Sequence, residues 1–442
     1  MKNFTLTSIF ILCFVICISC SHKPDIEEKY EVQDTIVLPK EPDEIVSSDE
    51  PENITGAGIF DRYVIDNDIL ISTGIPLVSI QTENNQEIQN KEDWIPAIMT
   101  IDGAEDSFWN IDELIISIRG RGNSTWGQAK KPFAIKLEKK QSVLGMPKHK
   151  RWVLIANYLD NSFMKNVVAF DLSKKLGLDY TVRGEYVNLV LNGNYIGLYW
   201  LGEAIKIDSN RVNIDAENDY LIEMDVYYDE VWKFKSKIKE LPYMIKNDDN
   251  MSEEKLTILQ NGISDMEDVL YSEYFPYTDE SKLVYDERYK DYIDINSFAK
   301  FYLVNEIMYN GELCHPKSSY FTFDSQSGIL HAGPVWDFDW AAYSNSNSLI
   351  LNETIYYDAL FKIPDFQQEL NSLLLLISSE EISEDIDRVQ NKIKASVELD
   401  SKRWGTENRN PVGEAKNSFD EYVAYLKDCV ITRIDFMKDN QL

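Results

Sequence analysis

The 442-residue chain carries 44 Lys and Arg against 75 Asp and Glu, a formal net charge of −31. So acidic a surface repels phosphate backbones, which argues against a general nucleic-acid role. Hydrophobic residues at 44% and aromatic residues at 12% suffice for a sizeable core, in two or three ordinary domains or one large domain with insertions.

The opening segment, MKNFTLTSIFILCFVICISC, has a positive Lys2 and then an apolar run too short to span a bilayer comfortably. It closes on Ser19-Cys20, and a polar, charged stretch follows at once. A small residue before Cys at the end of such a run is the pattern of a bacterial lipoprotein signal, although Cys17 stands where that pattern prefers Leu. The expectation is cleavage before Cys20 and lipid on its sulfur, giving a cell-envelope protein anchored to a membrane on the periplasmic or cell-surface side. An uncleaved or conventionally cleaved signal is the alternative, and either takes the chain out of the cytoplasm. Residues 21–57 are rich in Glu, Asp, Pro and Ser without a sustained apolar period, the composition of an acidic flexible tether. Beyond residue 20 only Cys314 and Cys429 remain, which is no disulfide framework, and spacing does not say whether they pair.

From about Ile59 the pattern turns to strands: IPLVSIQT, WIPAIMTID and ELIISIRG. NSFMKNVVAFDLSKKLGL reads as a helix, with Phe163, Val167, Phe170 and Leu172 at helical spacing and Gly177 as its stop. YVNLVL, Asn192-Gly193 and NYIGLYWL predict a hairpin. Residues 227–292 are charged and irregular with one helical stretch, and read as an insertion. IDINSFAKFYLVNEIMYN predicts a helix capped by Asp294 or Asn296. SSYFTFD and ILHAGPVWDFD read as a hairpin through Ser327-Gly328, and from about residue 356 to 442 the chain reads as helical, with Leu373, Leu374, Leu375 and Ile377 in a supporting bundle. The fold class expected is α+β, β-rich at the N-terminal side and helical at the C-terminal side, over one domain spanning 58–442.

Charge is unevenly spread. Between Arg119 and Arg151 stand ten basic residues and one acid, Glu138, in a chain that is otherwise strongly acidic. An anionic ligand is the natural account. IRGRGNSTWG follows a predicted strand with three glycines and short hydroxyl residues, a turn whose N–H groups can face an anion while Arg side chains flank it. In KKPFAIKLEKK, Phe133 and Ile135 share one face and Lys136 falls on the other, as a strand-borne phosphate lysine would. Trp126 in the turn reads as a hydrophobic plug before an adenine platform. There is no GxxxxGK[ST], no HRD loop, no Gly-x-Ser-x-Gly, and the four His have no zinc spacing.

The second cluster is GPVWDFDW. On a strand, Asp337 and Asp339 would point to one face and reach one ion together, while Trp336, Phe338 and Trp340 pack the other way. Paired carboxylates beside a polyanion suit Mg²⁺, which completes its shell with phosphate oxygens and water. Cys314 and His315 read as packing residues, lacking a third orienting group.

Five blocks in order, RGRGNSTW…KKPFAIKL, LGMPKHKRWVLIANYLDNSFMKN, VNLVLNGNYIGLYWLGEAI, NEIMYNGELCHPKSSYFTF and AGPVWDFDWA, resemble the CotH kinases, a spore-coat-type family of secreted and surface kinases. The resemblance runs from about Ile75 to the C-terminal helices. It implies an atypical protein-kinase-like fold and transfer of phosphate from ATP to Ser or Thr of a protein, with Mg²⁺ or Mn²⁺. It further implies Arg119, Arg121, Ser124 and Lys136 at the nucleotide phosphates, Glu203 orienting a lysine or lining the nucleotide pocket, Asp337 and Asp339 at the metal, and Glu312 as the catalytic acid. Two positions depart from the family pattern. Glu312 stands where well-studied members have Asp, adding a methylene that can move a base by about an ångström and cost on the order of 10²-fold in rate. Lys165 stands where many relatives have Arg, exchanging a rigid fork for a point charge. A catalytically inactive surface binding or scaffold lipoprotein, with Trp126 and Trp200 exposed for a glycan or protein, is the second reading.

Overall fold

The computed structural model describes residues 62–247, 249, 251–279, 284–407, 409–410 and 415–440. The expected signal with Cys20, and the tether to residue 57, lie outside the described residues. After a short helix α1 (Asn67–Ile71), five strands follow in sequence: β1 (Leu77–Thr82), β2 (Ile95–Asp102), β3 (Ile111–Gly120), β4 (Phe133–Val143) and β5 (Met146–Ile155). Helix α2 (Lys165–Leu176) then leads into β6 (Gly184–Leu191) and β7 (Asn194–Glu203). These strands close into a barrel in the order β1-β2-β3-β4-β5-β7-β6, antiparallel throughout except where β6 meets β1 in parallel.

Period-two alternation makes the barrel. On β2, Ile95, Ala97, Met99 and Ile101 are buried while Pro96 and Ile98 are exposed. Ile116 and Ile118 of β3, Phe133, Ile135 and Leu137 of β4, and Leu189 and Leu201 of β6 and β7 fill the same interior. Closure leaves no free edge to template aggregation. The β6–β7 turn is as the sequence predicts, with Asn192 at φ 50 and Gly193 at φ 76, the two positive φ values that a tight hairpin of this hand requires. Helix α2 likewise ends at Gly177, whose φ of 71 lets its N–H reach the carbonyls of Ser173 and Lys174.

The remaining chain builds a second layer. Strands β8 (Tyr220–Met224), β9 (Lys233–Lys235) and β10 (Pro242–Ile245) precede helix α3 (Glu253–Leu270) and a small ribbon, β11 (Tyr277–Asp279) with β12 (Val284–Tyr285). Helix α4 (Ile295–Ile307), strands β13 (Ser319–Phe323) and β14 (Leu330–Ala332), and helices α5 (Tyr357–Leu360), α6 (Pro364–Leu375), α7 (Ser379–Trp404) and α8 (Phe419–Asn440) complete it. The sheet order is β14-β13-β8-β10-β9. Residues 227–292 are therefore not irregular: they supply β9 and β10 to this sheet, and α3 buries Leu259, Ile263 and Met266 in the large core. PYMI of β10 is buried on both faces, so it lacks the alternation that marks a strand in sequence. Asp294 caps α4 through Asn296 N at 3.0 Å and Ser297 N at 3.4 Å. Trp200, expected on the surface, is buried over Gly184 and Gly202, where a Cβ at Gly202 would lie 2.0 Å from its ring. Cys314 is exposed and Cys429 buried, with no disulfide between them.

Barrel and helices are joined by charge. Lys130, just before β4, and Asp400 of α7 form a fully buried pair at 2.5 Å. Lys130 Nζ also donates to Leu198 O at 2.7 Å, and Asp400 Oδ2 accepts from Leu198 N at 2.8 Å. Gly197, at φ 117, makes room: a Cβ there would lie 2.3 Å from Asp400 Oδ2. Asp400→Ala leaves the Lys130 ammonium buried without its counter-charge and is expected to cost about 3–5 kcal/mol in urea unfolding. Gly197→Ala, which keeps both charges but pushes them apart, is expected to lower the melting temperature as well.

Candidate functional site

A cleft of about 310 Å³ opens where the end of the barrel meets the β8 sheet and the loop after β14. Its barrel side is the turn after β3. Gly122 adopts φ 82 there, and a Cβ would strike Thr125 Oγ1 at 2.1 Å, so the turn requires glycine. Arg121 and Ser124 line the cleft from this turn, Lys130 from the segment that follows, and Asn157 from the end of β5. Asn157 is buried, and its Nδ2 has no hydrogen-bond partner among the described residues. Trp126 is partly buried and meets Phe133 edge-on at 6.4 Å, as a plug does.

The sheet contributes Glu223 of β8, which pairs with Lys246 at 2.8 Å, and Asp225, which accepts from Tyr227 N at 2.8 Å and Ser318 N at 3.1 Å. Lys246 also pairs with Glu230. Glu312 sits on a single 3-10 turn after α4, where Asn310 Oδ1 accepts its N–H at 3.2 Å. Gly311 N donates to Ala341 O at 2.8 Å, which fastens this turn to the aspartate loop.

That loop is not a strand. Regular pairing stops at Ala332, and Asp337 has φ 68, so face alternation does not hold across WDFDW. Both carboxylates nevertheless line the cleft, because the left-handed residue turns the chain between them. Only Phe338 enters the core, its N–H held by Asn166 Oδ1 at 2.9 Å. Trp336 and Trp340 line the cleft instead, and Trp336 stacks on Phe170 at 5.7 Å with the Arg121 guanidinium 5.6 Å from its ring. Lys165 lies beneath, its Nζ 3.5 Å from both Asp339 O and Ala342 O.

Like charges crowd here. Burial, and then the charge of Asp337, hold the Asp339 carboxyl well above the usual carboxylate range. Burial pushes Glu312 up to about 7, with Asp337 and Asp225 adding to it and Lys317 opposing. Burial lowers Arg121 from its ordinary value while Asp337, Tyr320, Asp339 and Glu223 pull it back. Burial likewise brings Lys130 down to about 8, against the pull of Asp400.

The cleft thus gathers Arg121, Ser124, Glu312, Asp337 and Asp339, but not Lys136, Arg119 or Glu203. Lys136 is exposed on the outer wall of the barrel, opposite Ser117 and Arg151, because closure turns that face of β4 to solvent and the other to the core. Arg119 shares that wall, stacked on Trp94. Glu203 is fully buried at the far end of β7, held by Arg183 at 2.8 Å, Arg211 at 3.6 Å and Tyr180 at 3.0 Å. The residues that sequence reasoning missed are Lys130, Lys246, Glu223, Asp225 and Asn157. Lys130 was visible in the basic run, whereas the others come from strands whose pairing the sequence does not announce. A family model described as CotH kinase protein matches residues 118–437. No match was found among curated proteins.

Glu312 has a consequence for stability. Its ordinary value is 4.5 and its folded value about 7, so between these the folded state holds a proton that the unfolded state has lost. Stability therefore falls as pH rises through this window. Glu312→Gln is expected to flatten that decline, retaining roughly 2 kcal/mol at about pH 8 relative to the parent while the two agree near pH 4, as read by urea unfolding.

Proposed function

The chain belongs to the CotH kinase family, and from that footing we propose that it is an atypical ATP- and metal-dependent kinase acting on Ser or Thr of a protein substrate, on a kinase-like fold tethered to a membrane through Cys20. The observation that carries this is the convergence of the Arg121–Ser124 turn with Glu312, Asp337 and Asp339 in one cleft, although they come from separate parts of the chain. Phosphoryl transfer asks mainly for positioning and charge neutralisation, and the cleft supplies both kinds of group.

Arg121, with its fork beside the turn, would take the terminal phosphates, and the unpartnered Asn157 amide has a donor free for the same oxygens. The cation expected of Lys136 falls to Lys246, which lines the cleft, since the Lys130 ammonium is buried against Asp400. The donor set fits a hard divalent cation: Asp337 and Asp339 offer oxygens only, and no His or Cys lines the cleft. Burial, and then the charge of Asp337, raise the Asp339 carboxyl, and a bound Mg²⁺ or Mn²⁺ would offset the repulsion between the two carboxylates. Bound there, the ion would neutralise charge on the transferring phosphate. Glu312, poised near neutrality by burial, is suited to accept the proton of an acceptor hydroxyl. Lys165 supports the loop from below through main-chain oxygens, a task that a point charge performs without an Arg fork.

Purified protein is expected to incorporate phosphate from ATP with Mg²⁺ or Mn²⁺, and ATP with metal is expected to raise its melting temperature. Asp339→Asn is expected to lower the rate by roughly 10³-fold without lowering the melting temperature. Should the protein neither incorporate phosphate nor gain stability with ATP and either metal, the kinase reading fails and the scaffold reading replaces it.

A further inference from the structure

The basic run from Arg119 to Arg151 is only partly used by the cleft, which takes Arg121 and Lys130. Arg119, Lys136 and Arg151 gather elsewhere, on the outer wall of the barrel. The ladder puts Arg119 of β3 opposite Ala134 of β4, and Lys136 of β4 between Ser117 of β3 and Arg151 of β5. The small Ala134 leaves room for long side chains to lean across β4. Both guanidiniums consequently reach one indole: Cζ of Arg119 lies 4.6 Å, and Cζ of Arg151 5.0 Å, from the ring centroid of Trp94.

This grouping works against itself in the isolated chain. Like charges directly opposite across a ladder destabilise it, and the charge of Arg119 adds to burial in lowering Arg151. With 75 acidic residues available, neutralisation would be easy, yet none of the three cations forms an ion pair among the described residues. The acids beside Trp94 in sequence are turned to local bonds: Glu92 accepts from Lys91 N at 3.0 Å and Asp93 from Asn90 Nδ2 at 2.9 Å. Glu138 is exposed and two positions further along β4 from Lys136. Arg119 Nε is buried with no hydrogen-bond partner among the described residues.

We propose that this wall is a docking site for a phosphate monoester, separate from the cleft. Two guanidiniums gathered at one ring match a single compact dianion, which they can grip bidentately, with Lys136 as a third point charge. An extended polyanion would be repelled by the rest of a chain at −31. Beside the cations, Ile98 and Ile115 face each other across β2 and β3, 44% and 57% exposed. Apolar ground next to a phosphate site suits a phosphorylated Ser or Thr carried on a polypeptide with an apolar neighbour. The same groups would also accept free inorganic phosphate.

Calorimetric titration of the full chain distinguishes these sources, using a phosphoserine peptide flanked by Leu, its unphosphorylated form, and inorganic phosphate. The phosphoserine peptide is expected to bind at least about tenfold tighter than the unphosphorylated one. Arg119→Gln with Arg151→Gln is expected to abolish the difference, while Asp339→Asn leaves it intact and so keeps the result independent of the cleft. Lys136→Gln, at an exposed position, is expected to weaken phosphopeptide binding several-fold and guards against misfolding of the double variant. Inorganic phosphate binding as tightly as the peptide, and lost in the double variant, makes the free anion the ligand and overturns the monoester as occupant. Equal binding of the two peptides with no phosphate binding, or phosphate-dependent binding that survives both variants, overturns the proposal.

Discussion

Lys130 and Asp400 are far apart in the chain, and the pair they form is buried on both sides. Removing two charges from water is costly, and the cost is offset only where the remaining polar atoms are also engaged. Here the engagement is shared: Leu198 supplies both its carbonyl to Lys130 and its N–H to Asp400, so one main-chain position of β7 serves both ions. The consequence is geometric. Helix α7 is fixed against β7 at the same point where the segment leading into β4 is fixed, and Lys130 is at once an anchor and a wall of the cleft. The Arg121 turn therefore stands in a defined place relative to the helical part of the chain.

A second buried pair does the same for the acidic side. Arg433 of α8 meets Glu306 of α4, both fully buried, and also donates to Ser346 O at 2.7 Å and Ser348 O at 2.5 Å. Glu306 in turn accepts Leu351 N at 2.9 Å. The loop that carries Asp337 and Asp339 is thus gripped beyond its end by one pair, beside its middle by Gly311 through Ala341, and at Phe338 by Asn166. A loop without regular pairing can hold two carboxylates at close range only if its neighbours over-determine it. Asp337 in the left-handed region is the local sign of that constraint.

Legibility in the sequence followed the range of the interaction. The Asn192-Gly193 turn, the Gly177 stop and the Asp294 cap each depend on a few adjacent residues, and each stands where local chemistry puts it. The closing of the barrel depends on β6 meeting β1 in parallel, a pairing across most of the N-terminal half that no local pattern encodes. Lys136 illustrates the cost. Its face of β4 was read correctly as opposite to Phe133 and Ile135, but only closure determines that this face looks to solvent rather than to the cleft. WDFDW illustrates the reverse case. Alternation was the wrong reason for two carboxylates sharing one site, since the chain turns at Asp337, and two of its three aromatics line the cleft.

The balance of charge at the cleft bears on how a nucleotide could enter it. Seven carboxylates line it, Glu223, Asp225, Asp229, Glu230, Glu312, Asp337 and Asp339, against the cations Arg121, Lys130, Lys246 and Lys317. Asp339 and Glu312 are both raised, chiefly by burial and then by Asp337, which lessens this excess. A bare polyphosphate would meet the remaining excess as repulsion, and low dielectric would strengthen that repulsion rather than screen it. Under the proposed reading, nucleotide and divalent ion therefore enter as one species of reduced charge. Such an ion would be held by the Asp337–Asp339 pair, whereas Glu312, from a separate turn of the chain, would respond to the acceptor. The two raised carboxyls are in this way answerable to different partners.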